Sequence, residues 1–239
     1  MTTSPMRRIA VVGWEEGSAG LVHSWASEAG LEVVCFVHPQ AEPPQVSREA
    51  AMLGREATQF AIPENGRFKD LPLISAADWP QEVRRLGVTH ILVALSDNAR
   101  RLAEMARARQ AGLALASAIH PSVTVLADLI LGDNVILHAR AIIGYRAELR
   151  DGVIVNTGAQ VDHHCVLGAG CSLDPGVVLA GNVSIGSEAW VHTGAVIRNR
   201  ITVGVRAVIA AGAVVTEDVQ DDVTVMGVPA KPRSAPTNK

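Results

Sequence analysis

Hydrophobic residues recur every six positions along the second half of the chain. From Val125 the step lands on Leu131, Leu137, Ile143, Leu149, Val155, Val161, Leu167, Leu173, Leu179, Ile185, Val191, Ile197, Val203, Ile209 and Val215, sixteen aliphatic residues without one insertion. Two positions earlier in each repeat stands a mostly small residue: Ala141, Ala147, Ala159, Cys165, Cys171, Ala189, Ala195, Ala207 and Ala213, with Val or Ile in most of the others. A period of six is neither the 3.6 of a helix nor the 2 of a half-buried strand. It fits short strands that meet at tight corners, one large and one small side chain pointing inward per strand. Three such strands close a triangular coil of 18 residues, and each coil pairs its backbone with the next at about 4.8 Å. The pattern predicts a left-handed parallel β-helix of about five coils over 123–215. A single coil cannot bury its apolar face, so stacking is what stabilises it. A β-sandwich would need period-two strands and loops of variable length. Residues 18 apart stack in columns, and Cys165 and Cys171 fall in the small inward column, where they read as buried small residues.

The first half alternates strand and helix patterns. Arg8–Val12 is a short apolar run followed by Gly13, Gly17 and Gly20, and Leu21, Val22, Trp25 and Ala29 then follow at helical spacing. Further strands are expected at Leu31–Val37, His90–Leu95 and Ala114–Ile119, and helices at Trp79–Leu86 and Asn98–Ala111. This order implies a small parallel α/β sheet, Rossmann-like, with a ligand site at the carboxyl ends of the strands, near Gly13, His38 and Ser96–Asn98. The stretch Pro39–Asp70, rich in Pro, Glu and Gln, reads as a long excursion or lid. Gly13-x3-Gly17-x2-Gly20 is not the dinucleotide fingerprint, and no acidic residue follows the second strand. His120-Pro121-Ser122 is the hinge between an α/β domain over 1–119 and a β-helix domain with its tail over 120–239.

Composition agrees with this division and excludes several classes. The 239 residues are 48% hydrophobic but only 3% aromatic, as repeated small aliphatic layers require. The formal charge is -3 with no run of Lys or Arg, so neither nucleic acid nor an anionic membrane is an expected partner. No apolar stretch is long enough to span a bilayer, and Met1–Arg8 lacks the apolar core of a secretory signal; a cytoplasmic location is expected. Cys35, Cys165 and Cys171 show no CxxC spacing, which argues against disulfides or a cysteine zinc site.

An α/β domain, then His120-Pro121-Ser122, then unbroken hexapeptides, then Gly227-Val228-Pro229-Ala230-Lys231 resembles the sialic-acid O-acetyltransferase and sugar-nucleotide N-acetyltransferase family. Ser96-Asp97-Asn98 with Arg101 is similar to that family's Gly-Asp-Asn-x-x-Arg segment. Asn156-Thr157-Gly158, Val161-Asp162-His163-His164-Cys165 and Ala180-Gly181-Asn182 are similar to its catalytic coils. The resemblance implies an acetyl-CoA-dependent acetyltransferase, acting on an amino group of a nucleotide-linked sugar, with active sites at the seams of a homotrimer. It implies His163 as the general base, with His164, Asn156 and Gly181 beside it in the catalytic set. The role suits imidazole, because an amine attacking a thioester must lose a proton near working pH. His163 comes second after an inward aliphatic, so it should point outward, and Gly181 is its column neighbour 18 residues on. By resemblance the Gly181 N–H meets the thioester oxygen as it gains charge. Acetyl-CoA contacts are implied at Ser172, Gly181, Thr193, Ala211, Gly212 and Lys231, and nucleotide-sugar contacts at Gly17, Ser18, His38, Ser96, Asp97 and Asn98. No metal is implied.

The chain also departs from the family pattern. His164 stands where the family has Asp or Glu, Ser172 where it commonly has another His, and His38 where an acidic residue follows the second strand. Trp14-Glu15-Glu16-Gly17-Ser18-Ala19-Gly20 lacks the His of the family's glycine-rich opening. An acceptor different from that of better-known members is therefore expected. Other readings stay open at this point. The acylated atom could be oxygen, as on a sialic-acid-like sugar. The changes at His164 and Ser172 suit a catalytically altered or inactive trimer. A γ-type carbonic anhydrase shares the fold, and His138, His163, His164 and His192 are its candidate ligands. Against it, position 168, five after His163, is Gly168. His138 and His192 are three coils apart, roughly 14 Å, against metal–ligand bonds of about 2 Å, so they could meet only across a subunit seam.

Overall fold

A computed structural model describes residues 6–39 and 65–233, which form two compact units meeting in sequence at Ala116 and Ser117. In the first unit β1 (Arg7–Val12), β2 (Leu31–Pro39), β3 (Arg67–Phe68), β4 (Leu71–Ala76), β5 (His90–Val93) and β6 (Ala114–Leu115) make one sheet, ordered β3-β4-β2-β1-β5-β6. Every pair is parallel except β3 with β4. From β1 the chain runs outward to β2 and β4, then returns to the other side of β1 as β5. That reversal opens a crevice at the carboxyl ends of β1 and β5, the usual ligand position in such sheets.

The first expected helix is only partly regular. A π-helical turn, Glu16–Gly20, leads into one α turn, α1 (Leu21–His23), followed by looser turns. The others form as α2 (Trp79–Arg85) and α3 (Asn98–Gln110). The core of this unit gathers Ala10, Val12, Cys35, Val37, Trp79, Val83, Ile91, Val93 and Met105. Burial pushes the Cys35 thiol up to about 11, so it packs as an inert small residue. Most of the expected lid lies outside the described residues.

The second unit is the β-helix. Two-residue strands stack with partners 18 positions apart, as in Ile136↔Ile154↔Ser172↔Trp190↔Val208, and form three parallel faces. Every hexad aliphatic from Leu137 to Val215 is buried, and so is the small column containing Cys165 and Cys171. Val125 and Leu131 remain 43% and 39% exposed, because the first coil has no coil beneath it. At the corners from Asp128 to Gly212 the second turn residue adopts positive φ. One such column runs Asp128, Arg146, His164, Asn182 and Arg200, with φ between 54° and 62°.

Two boundaries differ from the hydrophobic pattern. The expected strand Ala114–Ile119 is two strands. Ala114–Leu115 closes the α/β sheet, whereas Ala118–Ile119 pairs with Ile136–Leu137 as the first rung of the β-helix. Ile119 is also one hexad before Val125, so the ladder begins one rung before the expected start of the β-helix. At the other end the last coil loses two residues: Val208 pairs with Thr224 and Val203 bridges to Val219, each 16 positions on. A short antiparallel strand, Lys231–Pro232, then covers Val225–Met226. Among the described residues no helix is long and apolar enough to cross a membrane.

Candidate active site

His163 and His164 are the two turn residues at one corner of the prism, and both are exposed. His164 takes the left-handed conformation that closes the corner, with φ 57°. The His163 N–H donates to Asp162 Oδ1 at 2.7 Å, and its carbonyl accepts from Asn182 N at 2.9 Å, so the backbone beneath the imidazole is held from both sides. The side chain points outward and lies across Gly181 in the next coil. A Cβ on Gly181 would stand 2.4 Å from His163 Nε2 and 2.5 Å from Cε1, so only glycine leaves the ring its place. Among the described residues the Gly181 N–H has no acceptor, which leaves a backbone donor beside an imidazole nitrogen.

The position after His163 holds a second imidazole instead of a carboxylate. The two Nδ1 atoms are 3.0 Å apart with ring planes at 85°, so one must carry a proton and donate it to the lone pair of the other. Tyr145, one coil back, meets the His164 ring edge-on with centroids 5.6 Å apart. Arg146 lies over the Tyr145 ring and pairs with Asp128 at 3.4 Å. Partial desolvation and the Asp128 carboxylate raise the Tyr145 pKa, so the phenol stays neutral.

The other candidate β-helix residues lie elsewhere on the prism. Ser172 is on a different face and 4% exposed. Thr193 and Ala211 are successive members of one turn column at the next corner, exposed, with Gly212 beside them at φ 67°. Asn156 precedes that corner and accepts from Thr157 N at 2.7 Å. One chain therefore brings His163, His164 and Gly181 together but holds Asn156, Ser172, Thr193, Ala211 and Gly212 at a separate corner and face. Lys231, in the C-terminal hairpin, pairs with Glu217 at 3.3 Å.

Asn156 belongs to a polar column of which only the pair His138 and His192 stands out in the sequence; in full it runs His120, His138, Asn156, Asp174 and His192, each 18 residues from the last. Asp174 accepts from Trp190 Nε1 at 3.0 Å through one oxygen and lies 2.8 Å from His192 Nδ1 through the other. His138 is 5% exposed, and burial, with His120 nearby, lowers its pKa to about 4. The signal was present in the sequence, in the residue after the inward aliphatic of every third hexad. Among the described residues no group of three or more His, Cys, Asp or Glu is placed to hold a metal.

In the α/β unit the candidates gather at the carboxyl ends of β1, β2 and β5. Gly13 has φ 121°, and a Cβ there would come within 2.9 Å of the Ala94 carbonyl, so glycine is required where β1 passes β5. Trp14 Nε1 donates to His38 Nδ1 at 3.0 Å, and Trp14 also meets Phe68 edge-on. Burial, then the Arg100 guanidinium, lowers the His38 pKa, consistent with the neutral ring that this bond needs. Gly17 is open. The Ser18 hydroxyl oxygen is buried without a hydrogen-bond partner among the described residues. The Ser96 hydroxyl donates to Glu15 Oε2 at 3.3 Å. Asp97 and Asn98 have structural duties: Asp97 caps α3 through Arg100 N at 2.8 Å, and Asn98 Oδ1 accepts from Arg101 at 2.8 Å. Arg101 is fully buried and also donates to the Leu95 carbonyl at 2.7 Å, which fixes this loop.

A hexapeptide β-helix with an outward corner histidine over a glycine suits acyl transfer. Solved structures with the same two-part plan give the family. PerB from Caulobacter crescentus, a GDP-perosamine N-acetyltransferase solved with CoA and GDP-perosamine, is 30% identical, with 95% of this chain and 97% of that one covered at a TM-score of 0.81. The acetyltransferase domain of PglB from Neisseria gonorrhoeae is 32% identical, covering 95% and 100% at 0.78, and is known also in complex with acetyl coenzyme A. No family model and no curated protein matches the sequence. The chain belongs to the family of sialic-acid O-acetyltransferases and sugar-nucleotide N-acetyltransferases, and it is an acyltransferase.

Proposed function

We propose that the protein transfers an acetyl group from acetyl-CoA to an amino group of a nucleotide-linked sugar, with His163 as general base. What carries the reading is the His163 imidazole lying against Gly181, whose N–H is unclaimed among the described residues, in a chain alike over 95% of its length to a GDP-perosamine N-acetyltransferase and to the acetyltransferase domain of PglB. When bound, acetyl-CoA supplies an activated thioester. Its pantetheine arm suits the corner of Thr193, Ala211 and Gly212, where no bulky side chain rises from the turn, with Asn156 and Ser172 on the same side and Lys231 toward a phosphate. His163 Nε2 accepts the proton that the sugar amine gives up, and the Gly181 N–H donates to the carbonyl oxygen as it gains charge.

The α/β unit is the nucleotide-sugar-binding part, through Gly17, Ser18, His38, Ser96, Asp97 and Asn98. Trp14 and His38 there, in place of the expected residues, favour an acceptor unlike perosamine. The corner of His163 and the corner of Thr193 are distinct within one chain. Completing the site takes a neighbouring subunit, and a homotrimer supplies one at each seam. The test is thiol release from acetyl-CoA with a panel of nucleotide-linked amino sugars. His163→Ala should lower kcat by about 10²-fold or more and leave folding intact. Unchanged kcat in that variant removes His163 as the base.

A further inference from the structure

We infer that His163 and His164 form a two-imidazole proton relay, in which the proton that His163 takes from the acceptor amine is matched by one that His164 releases to solvent. This rests on the reading of His163 as base. The observation is the 3.0 Å separation of the two Nδ1 atoms at an exposed corner. A carboxylate at position 164 would hold the shared proton on His163. An imidazole can accept it and release another from its far nitrogen.

The tautomers follow from the contact. If Nε2 of His163 is the free base over Gly181, its proton sits on Nδ1 and points at His164. His164 Nδ1 is then the acceptor, and its own proton sits on Nε2. As the amine attacks, its proton passes to His163 Nε2. The Nδ1 proton of His163 crosses to His164 Nδ1, and the Nε2 proton of His164 leaves to water. Both rings are now in the opposite tautomer and both are neutral. The departing CoA thiolate then takes the proton from His163 Nε2. Water returns a proton to His164 Nε2, and the Nδ1 proton moves back to His163. One proton leaves and one returns, so the sum is amine plus thioester giving amide plus thiol. A single imidazole thus serves as base toward the amine and acid toward the thiolate, while its partner exchanges with bulk.

The surroundings keep the pair in register and hold their own charges apart. Tyr145 sets the His164 ring edge-on as a neutral phenol. Arg146 is neutralised by Asp128 at 3.4 Å. Asp162 spends one carboxylate oxygen on the His163 backbone N–H. In the coils beyond, Asn182 and Arg200 continue the corner column, and the Arg200 backbone N–H donates to the Gly181 carbonyl at 3.1 Å. His164 is a positioning and relaying residue and does not itself touch the acceptor.

The discriminating variant is His164→Asn. Asparagine tolerates the left-handed corner, as Asn182 does one coil on at φ 62°, and its Oδ1 accepts a hydrogen bond but cannot pass a proton. Single-turnover acetyl transfer, with enzyme in excess, is measured in mixtures of light and heavy water. The wild type is expected to give a bowed dependence on deuterium fraction, reporting more than one moving proton. The variant is expected to react about 10-fold more slowly, with a linear dependence. A linear wild-type dependence, or a His164→Asn variant as fast as wild type, overturns the relay. His163→Ala separates the two ideas: if it is inactive while His164→Asn is unchanged, the relay alone falls, and if it retains turnover, the base assignment beneath it falls.

Discussion

Replacing Gly181 by alanine tests whether the His163 imidazole works from where it lies. The backbone at Gly181 is not in the left-handed region, so alanine meets no conformational penalty there. The added Cβ would stand 2.4, 2.5 and 3.0 Å from His163 Nε2, Cε1 and Cδ2, against an ordinary contact of 3.4–4 Å. The overlap of about 1 Å falls on an exposed side chain, which can swing away, so the ring moves and the coil does not. Stability should change by less than about 1 kcal/mol, as for surface substitutions that add no buried strain. A general base, however, must stay within hydrogen-bond reach of the proton it takes, and a misplacement of about 1 Å can cost about 10²-fold in rate. Gly181→Ala should therefore lower kcat by about 10²-fold with an unchanged unfolding midpoint. The double variant with His163→Ala should be no slower than His163→Ala alone, because both changes remove one function. The assay is free-thiol release from acetyl-CoA beside urea unfolding of the same preparations. Wild-type kcat in Gly181→Ala, or a double variant slower by the product of the two single effects, would refute the reasoning.

Three further outcomes follow from the packing. His138 titrates near pH 4 in the folded chain against 6.5 for a free histidine. The folded state thus resists its protonation: the stability is complete above pH 6.5 and is lost as pH falls toward 4, by about 3 kcal/mol. His138→Gln should flatten that acid loss, read as the difference in urea midpoints between pH 7 and pH 4.5. Leu167→Ala empties a fully buried hexad position and should cost about 2–5 kcal/mol, visible as a lowered urea midpoint with kcat retained in the folded fraction. Asp97→Ala removes the cap of α3 and should cost about 1 kcal/mol, whereas Asp97→Asn keeps an acceptor and should restore thermal stability. If both leave the melting temperature unchanged, the cap contributes nothing.

The β-helix was legible because its rule is strict. One buried aliphatic every six residues leaves few alternatives, and the 18-residue column by itself sets Gly181 beside His163. The ends were less legible for the same reason. Ile119 continues the ladder but follows an apolar run that reads as one strand of the α/β sheet. After Val215 the last coil drops two residues, which a fixed period cannot anticipate. The Asp174–His192 contact was readable only by following one column through all its coils. In the α/β unit the parallel sheet followed from the alternation of strand and helix patterns, but neither β4 nor the Trp14–His38 bond did. The bond joins residues at the ends of two neighbouring strands, which no spacing along the chain relates. Arg101 stands out in the sequence with Ser96–Asn98, but its burial was hidden by its type: arginine is seldom fully buried, and here three oxygens from Leu95, Ser96 and Asn98 satisfy it.

Acetyl transfer to a sugar amine with His163 as base is read most directly from the rate of CoA thiol release by wild type and His163→Ala. Acetyl-CoA is presented with nucleotide-linked amino sugars, each compared with its deaminated counterpart. Release is expected to depend on the amino group of at least one acceptor and to fall by about 10²-fold or more in the folded variant. Release that is the same with the deaminated sugars, or that persists at the wild-type rate in His163→Ala, would contradict it.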